Sequence, residues 1–288
     1  MSVKAMELLE RKAVFMGSSH ELSACEKVII GLPMDATTSF RPGTRLGPYR
    51  IREVSEGLEE YSIYQDKTLD NINFYDAGDV IIPFGNVRES LYRMETVVRA
   101  FLSQDKKVFA LGGEHLVSLP AVKAYREKYS ELVVIQMDAH ADLRKEYLGE
   151  TLSHASVMRH IVELVGRGNL FQLGIRSGTR EEMDYARQMT NLYLDQLGSV
   201  LEEVKNKVNQ RPVYLTIDID IVDPAFAPGT GTPEPGGFTS RELLQALREL
   251  AELNIVGFDV VEVSPPYEKG DNTSILGAKL LREALLAY

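Results

Sequence analysis

The chain has 288 residues, of which 44% are hydrophobic, and a formal net charge of −10 at pH 7. This length and composition predict a globular protein with a sizeable core, folded as one large α/β domain or two small ones. The acidic balance argues against nucleic acid as a partner, because surfaces that bind nucleic acid concentrate Lys and Arg.

Targeting and membrane signals are missing from the sequence. Charged residues occur throughout the first thirty positions, unlike a signal peptide, and no apolar run approaches the roughly 18 residues that a membrane span needs. The single Cys25 cannot form an intrachain disulfide. We therefore expect a cytoplasmic protein that has no membrane partner.

Short apolar runs alternate along the chain with segments in which apolar residues have helical spacing. This alternation predicts a mostly parallel sheet covered by helices. No linker, repeat or low-complexity tract divides the chain, so we expect one domain over residues 1–288. The predicted strands are 28–32, 108–111, 132–137, 170–175, 213–217 and 256–261, and the predicted helices are 90–104, 119–129, 239–253 and 273–286.

Two carboxylate clusters follow predicted strands. Asp138, His140 and Asp142 come after one apolar run, and Asp218 and Asp220 come after another. The alternate spacing would place each set on one side of an extended segment, at the strand ends where open α/β sheets bind ligands. Buried like charges repel unless cations neutralise them, so these clusters predict a metal site.

A third predicted strand ends in Gly112, Gly113, Glu114 and His115, where the two glycines would let the backbone turn and bring His115 to the same edge. Six ligands suit two ions better than one, because each ion would keep an open position. Carboxylates and imidazoles without a thiolate favour a hard or borderline divalent ion such as Mn²⁺, and ligand type leaves Co²⁺, Fe²⁺ and Zn²⁺ open. The candidate ligands are His115, Asp138, His140, Asp142, Asp218 and Asp220.

Glu262 also lies where an apolar run ends, so it either faces the cleft or pairs with a nearby Arg or Lys. His154 follows Asp142 by twelve residues and is a candidate proton shuttle, because imidazole exchanges protons near neutral pH. The glycine- and proline-rich segment 224–237 predicts an ordered loop near the site. His20 and His160 have no comparable context and receive no role.

Six blocks of this sequence together resemble the ureohydrolase family, the binuclear manganese enzymes that include arginase and agmatinase. They occur in order over nearly the whole chain. The blocks are S-F-R-P-G-T-R-L-G-P at 39–48, G-G-E-H at 112–115, D-A-H-A-D at 138–142, D-I-D-I-V-D-P at 218–224, P-G-T-G-T-P-E-P-G-G at 228–237 and V-E-V-S-P at 261–265.

The resemblance implies a three-layer α/β/α fold of the arginase type, two Mn²⁺ per subunit and a homo-oligomer, either a trimer or a hexamer. It implies that a hydroxide bridging the metals attacks the guanidinium carbon of a small cationic substrate, releasing urea and an amine. Asp142 would accept a hydrogen bond from that hydroxide, Glu262 would hold the guanidinium group and His154 would shuttle protons. One metal would be held by His115, Asp138, Asp142 and Asp218, and the other by His140, Asp138, Asp218 and Asp220.

Segment 143–153 lacks the Asn, Ser and Thr pattern with which arginases hold the amino-acid end of arginine, so agmatine is the expected substrate. Glu146, Tyr147 and Glu150 are candidates for holding its far end. Arg144 and Lys145 keep open a guanidino-acid hydrolase such as guanidinobutyrase, because they could attract a carboxylate. The sequence also leaves open a single-zinc deacetylase of the same general fold, which the lack of a His-His pair disfavours, and a silent polyamine- or metal-binding module.

Overall fold

A mostly parallel sheet forms the middle of the molecule in the computed structural model, which describes residues 3–19 and 21–288. Within these residues, nine strands pair in the order β1-β5-β2-β6-β11-β10-β7-β8-β9, and only β1 runs antiparallel to its neighbour. These strands are β1 (Leu9–Glu10), β2 (Lys27–Leu32), β5 (Phe74–Val80), β6 (Lys107–Gly112), β7 (Val133–Met137), β8 (Leu170–Ile175), β9 (Asn191–Leu194), β10 (Val213–Asp218) and β11 (Ile255–Val261).

Helices cover both faces of this sheet, and a small hairpin of β3 (Tyr61–Ser62) and β4 (Lys67–Thr68) lies outside it. No helix in the described ranges is long and apolar enough to cross a membrane. The helices are α1 (Val3–Met6), α2 (Gly47–Ser55), α3 (Val87–Leu102), α4 (Ser118–Lys128), α5 (Val157–Val165), α6 (Arg180–Met189), α7 (Leu201–Val208), α8 (Ser240–Glu249) and α9 (Asn272–Ala287).

Alternate side chains of the strands build two separate cores, as the period of two requires. In β6, Phe109 and Leu111 enter the core that contains residues of α2, α7, α8 and α9. Val108 and Ala110 enter the opposite core, which contains residues of α3, α4 and α5. The predicted three-layer α/β/α fold is therefore confirmed.

The six predicted strands are present with boundaries within one or two residues, and β8 begins and ends where the sequence places it. The predicted helix over 239–253 is shorter: α8 ends at Glu249 and continues as a 3-10 turn from Leu250 to Glu252. Of the described strands, β5 and β9 were not predicted, nor were the two-residue strands β1, β3 and β4. Five of the described helices, α1, α2, α5, α6 and α7, were also not predicted. The glycine- and proline-rich segment 224–237 is an ordered loop, as predicted, held through bridges of Val222 with Phe238 and of Thr230 with Val263.

Candidate metal centre

Four adjacent strands deliver the candidate site residues to one edge of the sheet. β6, β11, β10 and β7 are consecutive neighbours, and all run in the same direction. His115 follows β6, Glu262 follows β11, Asp218 ends β10 and Asp138 follows β7. Because the carboxyl ends of parallel strands meet at the same edge, residues that are more than a hundred positions apart converge there.

The two glycines before His115 are needed for close packing rather than for an unusual backbone angle. A Cβ atom on Gly113 would lie 1.9 Å from the backbone oxygen of Met34, and one on Gly112 would lie 2.5 Å from a methyl carbon of Val261. Neither glycine has a positive φ. The β6 end can therefore approach its neighbours only where side chains are absent, which explains Gly112 and Gly113 by a different physical reason from the predicted sharp turn.

One set of ligand atoms surrounds the buried imidazole of His115. Its Nδ1 lies 3.0 Å from Asp138 Oδ2, 3.2 Å from Asp142 Oδ2 and 3.4 Å from Asp218 Oδ2. His115, Asp138 and Asp218 each place a ligand atom within 4.8 Å of the others, a spacing that could hold a metal ion.

A second set shares Asp138 with the first. Asp138, His140 and Asp220 also offer ligand atoms within 4.8 Å of one another, and His140 Nδ1 lies 2.9 Å from Asp220 Oδ2. Because Asp138 belongs to both sets, its carboxylate could bridge two metal ions.

The local backbone at both clusters differs from the predicted extended segments. Asp142 adopts a left-handed φ of 53°, and Asp220 lies in a 3-10 turn, Ile219–Ile221, in which its N–H donates to Asp218 Oδ1 at 2.9 Å. The prediction that alternation along a strand aligns these side chains was therefore wrong. Tight turns with side-chain to backbone hydrogen bonds bring them together instead.

Burial and mutual repulsion strongly affect the pKa values of the clustered carboxylates. Burial raises the pKa of Asp138 to about 7, and the charge of Asp220 acts in the same direction. Burial and Asp220 also raise the pKa of Asp218 well above its ordinary value. For His140, burial lowers the pKa but Asp220 raises it to about 11, while His140 in turn lowers the pKa of Asp220 to about 2 against the effect of burial.

These residues fit divalent cations. His115 Nδ1 is a buried nitrogen that has no hydrogen-bond partner within the described ranges, although three carboxylate oxygens lie within 3.4 Å of it. A nitrogen lone pair that points at several anions is unfavourable unless a cation lies between them. The donor set of oxygen and imidazole nitrogen suits Mn²⁺ and related divalent ions.

Glu262 lies on the same edge as a buried carboxylate. Its Oε1 accepts a hydrogen bond from the His115 N–H at 2.8 Å, and its own N–H donates to Gly113 O at 2.8 Å. Burial raises its pKa well above the ordinary value, and the charge of Glu114 acts in the same direction. Glu262 forms no ion pair with any described Arg or Lys, which argues against a salt-bridged surface carboxylate.

His154 begins a 3-10 turn and lines a cavity that residues of both carboxylate sets also line. Its N–H donates to Thr37 Oγ1 at 3.0 Å, and its ring packs edge-on against Tyr147 with 5.8 Å between the ring centroids. Burial lowers the pKa of its imidazole, although the charge of Asp142 opposes this shift. The sequence analysis did not identify Thr37, because its contact with His154 joins residues 117 positions apart.

Two buried glutamines that were not predicted as site residues form hydrogen bonds that orient Asp138. Gln136 Nε2 donates to Asp138 Oδ2 at 2.7 Å, and Gln172 Nε2 donates to Gln136 Oε1 at 2.7 Å. Both glutamines lie inside strands that otherwise consist of apolar residues. A polar residue within a buried strand is the signal that could have revealed them.

A cavity of about 260 Å³ opens at the centre, and its lining includes His140, Asp142, Asp218, Asp220 and Glu262. Arg144, Tyr147 and Glu182 also line it. Of the three candidates for the far end of the substrate, only Tyr147 lines this cavity, while Glu150 lines a neighbouring one. His160 lies elsewhere, where its Nε2 donates to Thr151 O at 2.8 Å, and His20 lies outside the described residues.

Comparisons with known proteins agree with this geometry. A model of the Arginase family matches residues 26–287. An agmatinase from Bacillus cereus is 49% identical over 278 residues, which cover 96% of this chain and 96% of that protein. A guanidinobutyrase from Pseudomonas aeruginosa is 37% identical over 280 residues, covering 93% of this chain and 88% of that protein. Among solved structures, the agmatine ureohydrolase of Thermoplasma volcanium is similar with a TM-score of 0.87 and 32% identity, covering 99% of this chain and 97% of that one.

Proposed function

Because the chain belongs to the arginase family, we propose that it is an agmatinase, a hydrolase that cleaves a C–N bond of agmatine and releases urea and putrescine. The observation that carries this proposal is the cavity at the centre, which is lined by clustered carboxylates and imidazoles and by Glu262, a buried carboxylate that forms no ion pair with a described Arg or Lys. Such a cavity favours a cationic substrate. The 49% identity to an agmatinase supports the same conclusion.

We propose that two divalent cations, Mn²⁺ in the natural protein and Co²⁺ as a substitute, bind between the two carboxylate sets. Once bound, they would act as Lewis acids and make a hydroxide nucleophile available near neutral pH. The ligands would be His115, Asp138, Asp142 and Asp218 for one ion and His140, Asp138, Asp218 and Asp220 for the other.

The chain's own residues would then bind and orient the guanidinium group and move protons. Glu262 would accept hydrogen bonds from the guanidinium N–H groups, because its second oxygen is not used by the His115 N–H. Asp142 would accept a hydrogen bond from the attacking oxygen. His154 would accept a proton and pass it to the departing amine, since burial lowers the pKa of its imidazole and so favours the neutral form that can accept one.

The surroundings of Arg144, which lines the cavity, support agmatine over a guanidino acid. The Arg144 Nε lies 3.8 Å from Glu182 Oε2, and its guanidinium lies 4.7 Å from the centroid of the Tyr147 ring. Because Glu182 balances its charge, Arg144 is a weak attractant for a substrate carboxylate. A guanidinobutyrase is the second candidate because of the 37% identity to one.

Rates measured side by side with agmatine, arginine and 4-guanidinobutyrate, after loading with Mn²⁺, test the proposal. We expect agmatine to be much the fastest substrate by kcat/KM. A clear preference for arginine or 4-guanidinobutyrate would overturn agmatinase in favour of that activity. One tightly held zinc and turnover of acetylated polyamines would instead indicate the deacetylase, and no urea release from any guanidino compound would indicate a silent binding module.

Substitution of the guanidinium-binding residue tests the same geometry. Glu262→Gln should lower kcat/KM for agmatine about 10²-fold or more, because hydrogen bonds to a charged partner are worth about 1.5–3 kcal/mol each. The exposed Glu163, on α5, offers a matched control in Glu163→Gln, which should behave as the parent does. If Glu262→Gln turned over every guanidino compound as fast as Glu163→Gln does, the role assigned to Glu262 would be wrong.

We also propose that the protein works in the cytoplasm as a homo-oligomer, either a trimer or a hexamer, in which residues 1–288 form one domain. A buried, unpaired Cys25 suits a reducing compartment, and the family resemblance supports the assembly. Sedimentation equilibrium distinguishes a trimer from a hexamer, and a monomer would overturn this part of the proposal.

A further inference from the structure

Asp259 is a buried carboxylate that lies behind the metal centre rather than in it. It is in the middle of β11, is fully buried, and forms no ion pair with any described cationic side chain. Its Oδ2 accepts a hydrogen bond from the Tyr214 hydroxyl at 2.7 Å. Its Oδ1 has no hydrogen-bond partner of good geometry in the described ranges. A charge in this position costs stability, so it needs an explanation other than packing.

The neighbouring strand connects Asp259 to His115. Thr216 in β10 is the register partner of Asp259 in β11. The Thr216 Oγ1 lies 3.0 Å from His115 Nε2 and 3.4 Å from Ser118 Oγ. Burial raises the pKa of Asp259, but the hydroxyl groups of Thr216, Tyr214 and Ser118 and the charge of His115 lower it. Thr216 therefore lies between the two groups: it is in register with Asp259 on the adjacent strand, and its hydroxyl is within hydrogen-bonding distance of the His115 imidazole.

The chemistry of the hydroxyl group gives this chain of contacts a direction. A threonine hydroxyl has one proton to donate and two lone pairs that accept. A carboxylate only accepts, so the Thr216 proton is attracted towards Asp259, and the side facing His115 is left as an acceptor. His115 Nε2 must then carry the ring proton, and Nδ1 keeps its lone pair towards Asp138, Asp142 and Asp218.

We propose that Asp259 is a positioning residue for the metal centre, which acts through Thr216 to hold the proton of His115 on Nε2 and to keep Nδ1 free as a ligand. This inference rests on the proposed metal centre. Histidine ligands of metals usually donate their second N–H to a carboxylate or carbonyl, and such partners affect metal affinity strongly. Here a threonine hydroxyl stands between the imidazole and the carboxylate.

Affinity of the metal-free protein for Mn²⁺, measured by electron paramagnetic resonance of the free ion, tests the inference without an activity assay. Thr216→Val keeps the shape of the side chain but removes the hydroxyl. Asp259→Asn supplies an amide N–H that can donate to the Thr216 hydroxyl, which would reverse the direction of the hydrogen bond proposed between these two residues. We expect both variants to bind Mn²⁺ about 10- to 100-fold more weakly. Thr216→Ser, which keeps the hydroxyl, should stay within about threefold of the parent.

Tyr214→Phe is the matched control, because it removes a buried hydrogen bond to Asp259 without touching Thr216. It should affect thermal stability more than Mn²⁺ affinity. Unchanged affinity in Thr216→Val would overturn the inference, even if Asp259→Asn failed to fold. A parent that binds Mn²⁺ but does not hydrolyse agmatine would overturn the proposed substrate alone, whereas a parent that binds no Mn²⁺ would overturn both proposals.

Discussion

Buried carboxylates occur in two regions of the sheet, and they are neutralised in different ways. Within β5, Asp76 accepts hydrogen bonds from Arg52 Nε at 2.7 Å and from Nη2 at 3.0 Å, and Arg52 Nη1 donates to Asp79 Oδ1 at 2.6 Å. At the metal centre, Asp138 and Asp218 are almost equally buried, but the ion pairs they form within the described residues are with imidazoles alone.

The difference separates a structural carboxylate from a functional one. The bidentate pair of Arg52 and Asp76 is complete, because a guanidinium of the chain itself matches the carboxylate. Asp138 has no such partner, and burial raises its pKa to about 7. A cluster of buried carboxylates therefore indicates a ligand site when the fold supplies neither a guanidinium or ammonium group nor enough neutral donors to satisfy it.

Asp138→Asn should have the largest effect on activity. It removes the carboxylate common to both sets of ligand atoms, so both ions should be lost or weakly held. The loss of several kcal/mol of transition-state stabilisation corresponds to a fall of about 10³-fold or more in turnover. Metal content by mass spectrometry and urea release are the measurements. A variant that retains two ions and most of its turnover would contradict the proposed ligand set.

Asp76→Asn should have the opposite consequence, a loss of stability without a loss of chemistry. It leaves the Arg52 guanidinium buried with an incomplete set of partners, which typically lowers the free energy of unfolding by about 3–5 kcal/mol. Urea denaturation measures this loss, and turnover per bound metal pair should equal that of the parent. Asp79→Asn is the matched control: because the Asp79 side chain is 20% exposed, its substitution should lower the free energy of unfolding by less. Equal stability of the Asp76 variant and the parent would remove the distinction between the two regions.

The pH dependence of stability should also distinguish the two states of the centre. The pKa of Asp138 is raised to about 7 and that of His140 to about 11 in the metal-free protein. Both groups bind more protons when folded than when unfolded, so their contribution to stability falls as the pH rises from about 5.5 to 8. A divalent cation bound by these residues would replace those protons.

Added Mn²⁺ should therefore raise the Tm by more at pH 8 than at pH 5.5, as differential scanning fluorimetry can measure. In the Asp138→Asn variant, the metal-free protein should show a weaker dependence on pH over this range. The same increment in Tm at both pH values would argue against protons and metal competing for these residues.

Much of this architecture can be predicted from the sequence because buried parallel strands consist of continuous apolar runs. β8 is such a run, and its boundaries agree with the prediction. β5 was missed because Asp76 and Asp79 interrupt it, and the burial of Asp76 depends on Arg52, which lies 24 positions earlier. α6 was missed because charged residues dominate it and few of its residues are apolar.

The candidate ligands could be predicted from the sequence because they cluster at strand ends, where polar residues contrast with the apolar runs before them. Asp259 and Gln136 could not be given a role from the sequence, because each lies inside a strand and acts through a side chain of another residue. The left-handed conformation of Asp142 was also unpredictable, since it depends on how the following segment packs. The candidate ligands can thus be recognised from short stretches of sequence, whereas the residues that contact them from other strands can be recognised only once the strand order and register are known.

Glu114 is a third kind of buried carboxylate, which is satisfied by neutral donors. Its Oε2 accepts the Thr37 N–H at 2.8 Å, and its Oε1 accepts the Thr37 hydroxyl at 2.9 Å. Burial raises its pKa to about 7, although the Thr37 hydrogen bonds oppose this. The same hydroxyl accepts the His154 N–H at 3.0 Å. Glu114 and Thr37 therefore hold the start of the turn that carries the proposed proton shuttle.

Thr37→Val should produce the smallest of these effects, a fall of about tenfold in kcat with unchanged KM and unchanged Mn²⁺ content. The reason is geometric, because the His154 imidazole stays in place but is less well oriented. By comparison, His154→Ala should lower kcat about 10²-fold or more, with both ions retained. Thr37→Ser keeps the hydroxyl and should restore kcat. Thr38→Val is the matched control, because Thr38 Oγ1 donates to Asp35 O rather than contacting His154.

In a His154→Ala background, Thr37→Val should lower kcat no further, since the interaction that it removes acts only through that imidazole. An equal additional loss in that background would mean that Thr37 acts on the centre by another route, through Glu114 rather than through His154.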